Sequence, residues 1–223
     1  MANNTLSTKV IDYYTDILCV WAWIAQPRLA ELQRQWGNQV QVRHRYVDIF
    51  GDCHNKILQR WGQQDGFEKF SLHVRDSAAP FGDTPVNPDV WKRIRPHSSM
   101  QAHLFLKAVT VVAGHKPAEA MAECIRRAFF VDGQDVGQLL LLLELAATQQ
   151  LDTNLLKECL SDGRAMAELS TDQRNAHDLG IKGSPTWVLN EGRQILYGNV
   201  GYRILSANIE ELLKHPRAEA SWC

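Results

Sequence analysis

The sequence predicts an α/β fold in which both ends of the chain build one sheet and a large all-helical segment is inserted between them. Two observations point there. Strand-like stretches, rich in β-branched and aromatic residues, occur only around residues 9–47 and 186–197. Between Ile57 and Leu169 no alternating segment occurs, and apolar residues recur instead at three- and four-residue steps.

Lys9–Asp16 is the first strand. Leu29, Leu32 and Trp36 mark a helix over Trp23–Trp36 that ends at Gly37. Pro27 should kink it, because proline removes a backbone donor and crowds the preceding turn. Gln39–Val47 alternates, with Val40, Val42, His44 and Tyr46 on one face, and is the second strand. Strand, helix and strand in about forty residues make a βαβ unit with parallel strands.

Helices are expected next over Lys56–Trp61, Ser98–Ala113, Ala118–Phe130, Val136–Gln149 and Asn154–Leu160. Ser98 with Gln101 fits a capping box, and Asp152 fits the cap of the last of these helices. Ala79–Pro96 carries Pro80, Pro85, Pro88 and Pro96 without periodicity, so it reads as a long irregular loop, a kind of segment that often carries function. Thr171–Leu179, closed by Gly180, is a further helix. Thr186–Asn190 and Gln194–Tyr197 flank the turn Glu191-Gly192 as a hairpin, and Ile204–Leu213 is a final amphipathic helix.

The chain has 223 residues, 45% of them apolar, enough for a well-filled interior. Its formal net charge is -1 with both signs interspersed, which argues against a nucleic-acid partner. The start MANNTLSTKV lacks the apolar core of a secretory signal, and the run Leu139–Leu143 is too short to span a bilayer. A cytoplasmic protein without a membrane partner is therefore expected. Its five cysteines, Cys19, Cys53, Cys124, Cys159 and Cys223, are odd in number and irregularly spaced, so no disulfide framework is expected. Neither Cys53-His54 nor His44, His73, His97, His103, His115 and His177 have the spacing of a zinc site, and no metal is expected.

Cys19 stands where the first strand gives way to a helix. A thiol there faces unpaired backbone N–H groups and the positive end of the dipole, which predicts a pKa below that of free cysteine and a reactive thiolate. Cysteine is also a small hydrophobe that is often buried, and both readings stand. Asp16 either raises the thiol's pKa by like-charge repulsion or is held by backbone donors. Pro185, in Gly180-Ile181-Lys182-Gly183-Ser184-Pro185-Thr186, is either a cis proline or a trans proline opening a strand.

Cys19-Val20-Trp21-Ala22 after Asp16, a helical insertion holding Phe129-Phe130-Val131-Asp132-Gly133-Gln134-Asp135, then Gly183-Ser184-Pro185-Thr186 and a hairpin follow in order. Together they resemble the DsbA-like thioredoxin-fold oxidoreductases, from Val10 to Leu213. Asp16, Cys19 and Trp21 match the family's pattern. Val20 and Ala22 depart from it, and Ala22 stands where a second cysteine is usual. The resemblance implies a thioredoxin-like fold with a large inserted all-helical domain. Residues 9–55 and 170–215 would form the discontinuous thioredoxin-like part, 56–169 the insertion and 216–223 a flexible tail. It also implies a nucleophilic Cys19 beside a cis Pro185, with Trp21, Ala22, Ser184 and Thr186 around the substrate. The backbone of Ser184 would offer an edge to an extended peptide or to glutathione.

Ala22 has no sulfur to resolve a mixed disulfide, so the expected activity is monothiol exchange completed by an outside thiol. A thiol or disulfide substrate is the expected partner, with glutathione as co-substrate and no tightly bound cofactor. Cys53 or Cys223 could supply a resolving sulfur, but Cys53 needs its Cα within about 7 Å of that of Cys19. Nothing in the pattern fixes an oligomeric state. Kappa-class glutathione transferases and 2-hydroxychromene-2-carboxylate isomerases are similar in architecture and typically carry serine at the Cys19 position. By that likeness, Asn199 in the segment Tyr197–Arg203 would hold part of glutathione; a glycine-rich turn and helix cap is the plainer reading. A non-catalytic module that binds an extended peptide is the third expectation.

Overall fold

A computed structural model describes residues 8–215; the predicted tail 216–223, with Cys223, lies outside the described residues. Strand β1 (Lys9–Thr15) runs into a short helix α1 (Val20–Ile24) and then α2 (Gln26–Trp36). The single kinked helix expected over Trp23–Trp36 is thus two helices that break at Ala25. Pro27 lies in the first turn of α2, where a missing N–H costs nothing. Strand β2 (Val40–Tyr46) returns parallel to β1, with Lys9 opposite Val40 and Thr15 opposite Tyr46.

Seven helices follow: α3 (Cys53–Trp61), α4 (Gly66–Ala78), α5 (Met100–Ala113), α6 (His115–Phe130), α7 (Leu139–Thr148), α8 (Thr153–Ser161) and α9 (Arg164–Asp178). α9 is continuous across the boundary drawn between residues 169 and 170. Gly180, at φ 65°, closes it: the Ile181 N–H returns to the Ala176 carbonyl at 2.8 Å. β3 (Thr186–Leu189), a 3-10 turn at Asn190–Gly192 and β4 (Gln194–Tyr197) form the hairpin, and α10 (Tyr202–Lys214) follows.

The sheet order is β2-β1-β3-β4, with β3 antiparallel to β1. Ile11, Tyr13, Val40, Val42 and Trp187 fill one face under Leu32 of α2 and Leu205 and Ile209 of α10. Tyr14 and Val188 fill the other, against Ala176 of α9. The mixed α/β architecture with a helical insertion is the thioredoxin-like arrangement. Among the described residues, no helix is long and apolar enough to cross a membrane.

Two local readings change. α4 was not expected from the sequence, although Phe67, Phe70, Ser71, Val74 and Ala78 are buried at helical spacing. The capping box of Ser98 and Gln101 does not form. Ser99 is the N-cap of α5, and its hydroxyl donates to the Asp16 carboxylate at 2.8 Å instead of capping the helix. The Asp152 carboxylate does cap α8, accepting from the N–H groups of Asn154 and Leu155. The irregular segment Ala79–Pro96 is pinned to the core. Trp91 is fully buried in it, and the Trp23 indole N–H donates to the Pro85 carbonyl at 3.1 Å.

Candidate functional site

The antiparallel register sets Tyr14 opposite Thr186, so the residues just before β3 lie beside those just after β1. There the Ser184–Pro185 peptide bond is cis. Two hydrogen bonds clamp the junction. The Asp16 N–H donates to the Ser184 hydroxyl at 2.8 Å, and the Cys19 thiol donates to the Ser184 carbonyl at 3.1 Å. Cys19 is the N-cap residue of α1, with extended backbone at φ -78° and ψ 119°.

Asp16 is fully buried and organises the turn. Its Oδ1 accepts from the Leu18 N–H, and its Oδ2 accepts from the Ile49 and Phe50 N–H groups and the Ser99 hydroxyl. Those donors come from three separate segments, so one carboxylate joins the β1 exit, the β2 exit and α5. His103 completes the turn: its Nε2 accepts from the Ile17 N–H at 3.0 Å. That nitrogen therefore carries no proton, and its 3.6 Å approach to Asp16 is not an ion pair. Burial holds His103 below the usual histidine range, in keeping with a neutral ring.

The expected low pKa of Cys19 is corrected. Burial pushes the thiol above its ordinary value; the Ser184 contact and the Ala22 and Trp21 N–H groups oppose this, while nearby Asp16 adds to it. Cys19 is only 6% exposed, and α1 has five residues, too short a helix to offset the desolvation. Cys19 is thus a neutral thiol in its resting state, and both Asp16 readings hold at once.

A cavity of about 460 Å³ opens beside the sulfur. Trp21, Phe50, Trp61, Phe70 and His73 supply an aromatic wall; Lys56, Arg60 and Lys182 supply positive charge. Lys56 sits over the Phe50 ring at 5.2 Å. Among the described residues, none of these three cations has a carboxylate within ion-pair distance. The chemistry this arrangement admits is attack by a sulfur on a ligand that carries negative charge and apolar surface.

Of the residues singled out in the sequence, Cys19, Trp21 and Ser184 meet at this cavity. Pro185 lies buried immediately behind Ser184. Ala22 is fully buried and Thr186 donates to the Gly183 carbonyl; neither lines the cavity. Asn199 does not line it either; its Oδ1 accepts from Arg28. Cys53 is buried, donates to the Phe50 carbonyl at 3.2 Å and has its pKa pushed up by burial. The four described cysteines, Cys19, Cys53, Cys124 and Cys159, are all free. Sequence reasoning missed the α3 and α4 side of the site. Lys56, Arg60 and His73 lie on those two helices, and the spacing Lys56, Arg60 at i, i+4 was the available signal.

Residues 10–210 match the family model described as DSBA-like thioredoxin domain. The chain belongs to that family. A ClpXP adapter protein, SpxH, of Halalkalibacterium halodurans is 25% identical over 217 residues, 92% of this chain and 68% of that protein. Among solved structures, the cytosolic disulfide reductase DsbM of Pseudomonas aeruginosa superposes with a TM-score of 0.67 at 22% identity, over 90% of this chain and 98% of that one. A 2-hydroxychromene-2-carboxylate isomerase superposes with a TM-score of 0.66 at 16% identity, over 93% of this chain and 97% of that one. At such identities the likeness is one of fold.

Proposed function

We propose that this DSBA-like protein is a monothiol exchange enzyme of the cytoplasm, with Cys19 as its nucleophile and an outside thiol such as glutathione as its resolving partner. The observation that carries this reading is the Cys19 sulfur at 3.1 Å from the Ser184 carbonyl, at the edge of a cavity lined by three cations, Lys56, Arg60 and Lys182. Loss of the thiol proton gives a thiolate that attacks one sulfur of a substrate disulfide. A Cys19–substrate disulfide forms, and the other half leaves as thiolate. A glutathione thiolate then attacks the substrate's sulfur in that bond, releasing Cys19 as thiolate and the substrate as its glutathione mixed disulfide. Lys56, Arg60 and Lys182 favour a carboxylate-bearing disulfide and stabilise the leaving thiolate. The fold neighbour DsbM was also solved with GSH, which supports glutathione as the co-substrate.

The test is mass spectrometry of the native protein after incubation with oxidised glutathione. One glutathione adduct on Cys19 is expected, with none in Cys19→Ser and slower formation in Arg60→Glu. A native protein that takes no adduct overturns the reading. The raised pKa of Cys19 favours one second reading, in which the neutral thiol donates a hydrogen bond to a bound glutathione thiolate as a transferase or isomerase would require. In that case Cys19→Ser keeps saturable glutathione binding and conjugation of an electrophile.

A further inference from the structure

On the α2 side of the sheet lies a second cavity, of about 370 Å³, that shares no residue with the one beside Cys19. Gln26, Leu29, Ala30 and Gln33 of α2 form one wall, Val42 and His44 of β2 the floor, and Lys116, Glu119, Ala120 and Glu123 of α6 the other wall. Arg126 lies one turn further along α6, behind Gln26, and is completely buried. Its two Nη atoms donate to neutral acceptors, Gln26 Oε1 at 2.9 Å and Thr15 Oγ1 at 2.8 Å, and among the described residues its Nε has no partner. Among the described residues, no carboxylate pairs with it. A buried guanidinium without a counter-ion is costly, and evolved interiors seldom keep one unpaired.

The unpartnered atoms around it have a common chemistry. Among the described residues, the Tyr13 hydroxyl and His44 Nδ1 are buried without partners, on adjacent strands with ring centroids 5.3 Å apart. Arg126 Nε–H can only donate. The Tyr13 hydroxyl can donate, and a neutral His44 can carry its proton on Nδ1. Gln26, whose Oε1 already faces the Arg126 guanidinium, can turn its NH₂ group as a donor to a ligand. What this cluster lacks is an acceptor carrying negative charge. Leu29, Ala30, Val42 and Ala120 add apolar wall for the rest of such a molecule. Two carboxyls, Glu119 and Glu123, line the same space with one cation, Lys116; burial pushes the Glu119 carboxyl up to about 7, which lessens its repulsion of an incoming acid, and Lys116 offsets the remaining charge.

We propose that this cavity binds a small aliphatic carboxylic acid, its carboxylate held by His44 and Gln26 with Arg126 behind them as counter-ion. The site is separate from the thiol chemistry and does not depend on it. The test uses the full chain, titrated with hexanoate and with its neutral isostere hexanamide, and read by ¹H–¹⁵N NMR. Saturable shifts at residues of α2, β2 and α6 are expected for hexanoate, with hexanamide binding at least tenfold more weakly. Arg126→Gln should abolish the response. Because that variant may not fold, Ala120→Trp, which blocks the mouth from an exposed position, is the second arm and should also abolish it in a protein whose circular dichroism is unchanged. No saturation by 50 mM hexanoate, equal binding of hexanamide, shifts equally produced by chloride, or undiminished binding in the folded Ala120→Trp variant each overturns the proposal. So does a crystal grown with hexanoate in which ordered water alone satisfies Arg126.

Discussion

Cys19 sets two physical effects against each other, and the structure decides between them. A helix start favours thiolate, while withdrawal from water favours thiol. With five residues in α1 and 6% exposure, desolvation wins. Alkylation of Cys19 by iodoacetamide, followed by peptide mass spectrometry, should therefore be slow at pH 7.5. It should be about tenfold or more slower than a free cysteine, and its rate should keep rising through pH 9, the ordinary thiol value being 9.0. The sign is that of an acid whose folded pKa lies above its ordinary value: thiolate appears only as pH climbs past that value. A rate that levels off below pH 8.5 contradicts the neutral resting thiol. The position of Cys19 and its Ser184–Pro185 neighbour could be read from the order of short motifs. Its protonation could not, because the sequence shows which residue starts a helix but not how much water reaches it.

Among the elements, the hydrophobic periods of both ends of the chain were legible, since β-branched alternation and helical spacing each leave a local imprint. α4 was missed because its apolar residues are interleaved with His73, Arg75 and Asp76, which blur the stripe. Long-range polar ties left no local imprint at all. Ser99 gives its hydroxyl to Asp16 rather than to its own helix, a partner 83 positions away. The same holds for Asp172 of α9, which is fully buried. It accepts from Arg45 at 2.8 Å, from the Tyr46 N–H at 2.9 Å and from Lys107 of α5 at 2.5 Å. This carboxylate thus fastens α9 and α5 to β2, and Arg45 continues the chain of charges to Asp12. Replacing Asp172 with leucine strands a buried ammonium and should cost about 3–5 kcal/mol in urea unfolding. Lys107→Met in the same chain removes the stranded charge, so the double variant should be more stable than Asp172→Leu alone by about 1–3 kcal/mol. Strictly additive losses would show that the pair does not act as a unit.

At the scale of the whole molecule, the helical insertion and the sheet share one interior. The largest apolar cluster begins at Ile17 and Cys19, takes in Ala22 and Trp23 of α1, and continues through Ile57, Phe70, Phe105, Phe129, Leu142 and Leu156 to Leu169 of α9. α9 then carries Ala176 onto the opposite face of the sheet. The thiol therefore stands on a helix whose buried face is packed against the insertion, and the cavity beside it draws one wall from α1 and the others from Ile49 and Phe50 after β2, from α3 and α4, and from residues 182–184. Neither part keeps its apolar surface covered without the other, so the two are expected to unfold together. Urea unfolding should be a single transition, with tryptophan fluorescence and far-ultraviolet circular dichroism giving the same midpoint. Trp36 and Trp187 report the sheet and Trp61 and Trp91 the insertion, whereas most helical signal comes from the insertion. Residues 56–169 expressed alone should lack cooperative unfolding, because α6 would expose Phe130, now stacked on Trp23 of α1, and α5 would expose His103, now stacked on Tyr46 of β2. Two separated midpoints, or a cooperatively folded 56–169 fragment, would make the insertion an autonomous domain.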